Sequence, residues 1–133
     1  MIRFTLSVAP VAKGRPRLGR GGRVYTPDET RRFENEVRML ARLYKPEQPW
    51  AGPIGICLKF SLPKPKRPKC NEPICRPDLD NYVKAVLDAL DEFWIDDSQV
   101  VHLSATKEYG EPEINVMIVR IAEENEEQER VWQ

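Results

Sequence analysis

No run of about 18 apolar residues occurs anywhere in the chain, so the sequence offers no membrane-spanning helix. The first residues lack a basic stretch followed by an apolar one, and a secretory signal is not expected. Cysteine is sparse. Cys57, Cys70 and Cys75 are an odd set that suits a reducing cytoplasm better than a disulfide framework. Histidine is scarcer still, with His102 alone. Cys70 and Cys75 have no second close pair and no nearby histidine, so a zinc site lacks its ligands. What remains, at 133 residues, is enough for one packed domain and too little for two. Residues 1–122 read as that domain, and the Glu-rich residues 123–133 as an acidic C-terminal tail.

A net charge of zero conceals a strong division. Residues 1–77 hold 17 Lys and Arg against 6 Asp and Glu, whereas residues 78–133 hold 4 against 15. The basic half suits a polyanion and the acidic half suits cations, although helix surfaces and a tail can carry such runs with no function attached.

Residues 2–9 alternate Phe4, Leu6 and Val8 on one side, the pattern of a half-buried strand. A basic, glycine-rich stretch follows, from Lys13-Gly14-Arg15-Pro16-Arg17 through Arg20 to Arg23; it has no periodicity and reads as a mobile loop. Thr26-Pro27-Asp28-Glu29 predicts a helix start, with threonine as cap, proline at the first helical position and glutamate closing a capping box. Phe33, Val37, Leu40, Ala41 and Tyr44 carry that helix to about Lys45, with Arg31, Asn35, Arg38 and Arg42 along another face.

A second strand is expected over 54–62, where Ile54, Ile56, Leu58 and Phe60 recur every two residues. Residues 63–77 hold five prolines and five basic side chains (Lys64, Lys66, Arg67, Lys69 and Arg76), predicting an irregular, stiff, positive loop. Leu79, Val83, Val86, Leu87 and Leu90 mark a helix over about 79–92, with Phe93 and Trp94 closing the core at its end. Strands over 100–109 and 113–121, joined by Gly110-Glu111-Pro112, read as a hairpin. The fold expected is α+β: a small mixed four-stranded sheet with two helices on one face, in the order β-α-β-α-β-β.

Acidic chemistry concentrates around the second helix. Asp78 falls where an N-cap is expected, just outside the regular turns, so its side chain is free to swing toward Asp80 in the first turn. Asp97 follows the far end, on a turn with room to fold back beside the sheet. A hard Mg²⁺ ion takes oxygen ligands and keeps several waters, so two or three carboxylates suffice. Asp88 lies eight residues past Asp80, roughly 12 Å along a helix, and is left out with Asp91. Lys84, four residues after Asp80 on the same face, reads as a weak helix ion pair or, beside a metal, as a cation for a phosphate.

Taken singly, Asp78 serves as well as a plain cap and Asp96-Asp97 as a plain turn. The Asp-x-Asp motif of haloacid dehalogenase-type phosphatases follows a buried strand, whereas a proline-rich segment precedes Asp78. An EF-hand loop starting at Asp97 would put His102 where glycine is needed.

Taken together, Asp78-Leu79-Asp80-Asn81-x-x-Lys84-x-x-x-Asp88-Ala89-Leu90 and Phe93-Trp94-Ile95-Asp96-Asp97-x-x-Val100 closely resemble the RusA family of bacterial and phage Holliday junction resolvases. Lys13-Gly14-Arg15-Pro16-Arg17 and Val24-Tyr25-Thr26-Pro27 resemble segments of its phage-type members. The resemblance implies a RusA-like fold and a cytoplasmic homodimer, bacterial or phage-encoded. It further implies Mg²⁺-dependent nicking of four-way junctions by paired symmetric cuts, in DNA recombination and repair, leaving 5′-phosphate and 3′-hydroxyl ends. Asp78, Asp80 and Asp97 would then hold the metal and Lys84 would be the catalytic lysine, with Asp96 matching in a lesser role. Lys13, Arg15, Arg17, Arg20, Arg23, Lys64, Lys66, Arg67, Lys69 and Arg76 are the side chains expected to meet DNA phosphates. Two other readings fit the same residues: a branched-DNA-binding module that does not cut, and a metal-dependent phosphodiesterase for another nucleic acid.

Overall fold

The computed structural model describes residues 1–15 and 17–121; the acidic tail lies outside them. In chain order the elements are β1 (Ile2–Leu6), β2 (Arg17–Leu18), β3 (Val24–Tyr25), α1 (Asp28–Ala41), β4 (Ile54–Leu62), α2 (Leu79–Ala89), β5 (Val100–Tyr109) and β6 (Glu113–Arg120). Four strands form one mixed sheet in the order β1-β6-β4-β5, with β5 parallel to β4 and the other pairs antiparallel. Both helices lie on one face, as expected of an α+β fold. β2 and β3 add a separate two-stranded ribbon inside the first basic loop, where periodicity predicts no structure.

Alternation decides which face the helices cover. Ile54, Ile56, Leu58, Phe60 and Leu62 of β4 meet Ile114, Val116 and Ile118 of β6 and Phe4 and Leu6 of β1 in one buried layer. Phe33, Val37 and Ala41 from α1 and Tyr82, Val83, Ala85, Val86 and Ala89 from α2 close it from above. Each large aliphatic side chain buried there contributes about 1.5–3 kcal/mol, so this layer is the main source of cohesion. Phe93 and Trp94 are both 2 % exposed and seal one end of the core, as their position past the second helix predicts.

Several boundaries differ from the sequence reading. α1 begins at Asp28 with Pro27 in the N-cap position and no side-chain cap, so Thr26 does not close a capping box. It ends at Ala41, and α2 ends at Ala89, each a few residues earlier than periodicity predicts. The larger correction concerns β5 and β6, which do not pair as a hairpin: they flank β4 on opposite sides. Bridging one intervening strand needs roughly 10 Å, and the four Cα steps from Tyr109 to Glu113 span up to about 13 Å. The turn therefore crosses the end of β4, where the Gly110 amide donates to the Leu62 carbonyl at 2.8 Å.

This topology makes β4–α2–β5 a parallel crossover unit. α2 begins beside the C-terminal ends of the two parallel strands, where Lys107 Nζ donates to the carbonyls of Cys75 (2.8 Å) and Pro77 (3.2 Å). It runs back to their N-terminal ends, where Trp50 bridges Trp94 and Gln99 Nε2 donates to the carbonyls of Trp50 and Gly52.

Candidate active site

Of the positions singled out by sequence, Asp78 and Asp80 stand at the start of α2, and Lys84 lies one turn further along it. Asp78 occupies the N-cap position in extended backbone (φ −70°, ψ 151°), yet its carboxylate caps nothing. The plain-cap reading of Asp78 therefore has no bond behind it, and the side chain is exposed. Because Tyr82, Val83 and Val86 turn the apolar side of α2 to the core, Asp80 and Lys84 are set on its exposed side. Among the described residues neither makes an ion pair. The unpaired amides of a helix N-terminus add positive potential here, which favours phosphate oxygens.

Asp97 lies elsewhere. It opens a short 3-10 turn (Asp97–Gln99) just before β5, beside the start of β4. α2 rises about 15 Å from Leu79 to Ala89, and β5 spans about 23 Å between Val100 and Lys107. Asp78 sits by the Lys107 end and Asp97 by the Val100 end, so one chain does not close all three carboxylates on a single ion. Consistently, among the described residues no three His, Cys, Asp or Glu side chains come close enough to hold a metal. Asp78 and Asp80 still fit a hard divalent cation by donor chemistry: both are exposed carboxylates without competing partners, and Mg²⁺ accepts two with waters completing its shell.

The turn that presents Asp97 is firmly built. Trp94 Nε1 donates to Asp97 Oδ1 at 2.9 Å. Asp96 accepts from the Ser98 amide at 2.8 Å, which holds its carboxyl below the usual range. The Gln99 side chain accepts from the amides of Ile95 and Asp96, completing a capping box. Asp96 thus orients this loop. The spacing of Trp94 and Asp97 is visible in sequence, but their bond is not.

The basic residues divide into two groups. Arg15, Arg20, Arg23, Lys64, Lys66, Arg67, Lys69 and Arg76 are exposed. They sit in and around the β2–β3 ribbon and on the 63–77 loop, which leads from the end of β4 directly to Asp78. The side chain of Arg17, expected on DNA as well, lies outside the described part of the structure. Lys13 is different. It pairs with Glu34 of α1 at 2.5 Å and Asp88 of α2 at 3.1 Å, with its side chain only 17 % exposed. Burial disfavours its charge, but the hydrogen bonds and charges of Glu34 and Asp88 outweigh that and raise its pKa. Nothing in the sequence singles out Glu34. All three arginines of the basic stripe on α1 are also occupied: Arg31 pairs with Asp28 in the same helix at 2.7 Å, Arg38 with Asp91 at 3.2 Å, and Arg42 grips Glu92 in a two-pronged interaction at 2.8 Å. Part of the charge division is therefore spent inside the molecule, tying α1 to the end of α2.

Exposed carboxylates at a helix start, with exposed basic side chains on the loops beside it, give this end of an α+β fold the charge pattern of a protein that meets phosphates and cations. Comparison with known proteins narrows it. Residues 7–119 match the family described as endodeoxyribonuclease RusA. The chain is also similar to a Bacillus subtilis (strain 168) protein described as "Uncharacterized protein YqaN", 38% identical over 138 aligned positions covering 91% of this chain and 97% of that one. The chain belongs to the RusA endodeoxyribonuclease family, whose members are Holliday junction endonucleases that bind branched DNA. No helix among its described residues is long and apolar enough to cross a membrane.

Proposed function

We propose that this protein is a Mg²⁺-dependent resolvase that works as a homodimer, cutting four-way DNA junctions by paired symmetric nicks. The observation that carries this reading is the placing of Asp78 and Asp80 at the start of α2, with Lys84 one turn further along the exposed side and exposed basic loops nearby. Asp78 and Asp80 would hold the metal. Their separation from Asp97 within one chain supports a site completed by Asp97 of a second copy, so that two chains make two equivalent sites. Two matched sites are what symmetric cutting of a four-way junction requires.

When bound, Mg²⁺ supplies Lewis acidity toward the scissile phosphate and a more acidic water. Lys84 stands on the face of α2 that also carries Asp80, and its ammonium offsets negative charge growing on the phosphoryl oxygens. The start of α2 orients a phosphate through its free amides. Arg15, Arg20, Arg23 and the Lys64–Lys69 loop hold backbone phosphates, positioning the junction without reading its sequence. Ends of 5′-phosphate and 3′-hydroxyl follow from water attacking the phosphorus with loss of the 3′-oxygen.

A cleavage panel tests the proposal: a four-way junction, a flap, a linear duplex and RNA, each with and without Mg²⁺. Paired nicks in the junction alone, dependent on Mg²⁺, are expected. Junction binding with no cutting under any divalent cation points instead to a binding module, and preference for a flap or RNA to another phosphodiesterase. Either result overturns the proposal.

A further inference from the structure

Composition assigns Lys13 to DNA, and its surroundings argue otherwise. Its ammonium is held between Glu34 on α1 and Asp88 on α2, at 2.5 and 3.1 Å, with Glu34 itself 13 % exposed. The main chain at this point is fixed as well. The Lys13 amide donates to the carbonyl of Asn81 in the first turn of α2 at 2.9 Å, and the Gly14 amide donates to Oγ1 of buried Thr30 at 3.0 Å. Gly14 lies so close to α1 that a Cβ there would come within 2.9 Å of Thr30 Oγ1 and 3.0 Å of Pro27 Cγ. Only a residue without a side chain allows this approach. Immediately beyond, Arg15 and the β2–β3 ribbon emerge with Arg20 and Arg23 exposed.

We infer that Lys13, Glu34 and Asp88 form a clamp that fixes the base of the basic ribbon beside the first turn of α2, making Lys13 a positioning residue rather than a phosphate ligand. The clamp ties three segments that are distant in sequence: the first loop, α1 and α2. Releasing Lys13 toward a phosphate would leave Glu34 and Asp88 without their shared cation in a partly buried place, a costly exchange. Its role is to hold the neighbouring arginines where a junction arm passes the carboxylates of α2. That consequence for DNA rests on the resolvase reading; the clamp itself does not.

Two measurements on the full chain separate these levels. In the free protein, amide hydrogen exchange over Arg17–Tyr25 is compared among wild type, Lys13→Gln, Glu34→Gln and Gly14→Ala. The clamp predicts exchange in the ribbon faster by about tenfold or more in each variant, with β4 and β6 unchanged. Unchanged ribbon exchange in Lys13→Gln and Glu34→Gln overturns it, whether or not the protein binds DNA. On a four-way junction without metal, affinity is then measured against salt. A positioning role predicts several-fold weaker binding in both Lys13→Gln and Glu34→Gln with the wild-type salt slope, whereas Arg15→Gln lowers the slope by about 0.9. Should Lys13→Gln lower the slope by that amount while Glu34→Gln tightens binding, Lys13 binds phosphate directly and the inference is wrong. Absence of junction binding in wild type would count against the resolvase reading alone. Should Lys13→Gln fail to fold, Glu34→Gln carries both measurements.

Discussion

The buried indole of Trp94 donates its Nε1 hydrogen to Oδ1 of Asp97 at 2.9 Å, fixing the one candidate metal carboxylate that stands apart from the start of α2. Trp94 is 2 % exposed and held by the core, so the core also sets the orientation of Asp97. Replacing it with phenylalanine keeps most of the packing and removes the donor. Trp94→Phe is expected to lower junction cleavage by about 10-fold or somewhat more, the usual cost of losing a group that orients a ligand. Junction affinity in the absence of metal should stay near wild type. Unimpaired cleavage would show that Asp97 needs no such support.

Asp78 and Asp80 carry the proposed chemistry, and neither is used by the fold. Asp78→Asn and Asp80→Asn should each reduce nicking more than about 100-fold. Because both side chains are exposed and unpaired, thermal stability should remain close to wild type. Gel-shift binding to the junction should survive. A variant that cuts normally would remove that carboxylate from the site.

How much of this is legible in the sequence follows from the range over which each signal acts. Period-two alternation places β4 at Ile54–Leu62 because burial on one face is a local pattern. By contrast, β5 (Val100–Tyr109) lies at the sheet edge with no fully buried residue and is marked only by its run of strand-forming side chains. Partner choice is not local. A turn of Gly110, Glu111 and Pro112 serves an adjacent hairpin or a step over one strand equally well, so the place of β6 between β1 and β4 is not written in it. The motif around Asp78 and Asp80 is clear because its members are neighbours in the chain. The distance to Asp97 depends on which way α2 runs against β4 and β5, a tertiary fact. For Lys13, composition promises a cation for DNA, while the structure supplies two carboxylates, one of them Glu34 with no sequence signal at all.

The proline-rich loop before Asp78 makes a separate, electrostatic prediction. Lys64, Lys66 and Lys69 are all exposed. Changing all three to glutamine should weaken junction binding and flatten its dependence on log salt by about 0.9 for each phosphate no longer neutralised. An unchanged slope would place DNA on another surface.

Acid sensitivity has a definite sign at the join between the helices. The Arg42 guanidinium hydrogen-bonds Glu92 and, with the charges of Arg42 and Lys45 and against the opposing effect of burial, keeps its carboxyl below the usual glutamate range. The contribution is therefore complete above the unfolded-state value and disappears as pH falls through the lowered one. Being solvent-screened, it is small. Melting temperatures of wild type and Glu92→Gln should differ at pH 7 and converge in the acid range; a gap that persists at the lowest pH would assign the difference to packing.

A site that draws Asp78 and Asp80 from one chain and Asp97 from another can be rebuilt from two dead variants. Unfolded Asp80→Asn and Asp97→Asn chains are mixed in equal amounts and refolded together. In each mixed dimer, one site would have lost both residues and the other would have all three intact. Each variant alone should be inactive, and the mixture should recover nicking at about one quarter of the wild-type rate. A mixture as inactive as its parents, with subunit exchange confirmed by mass spectrometry, would contradict the shared site.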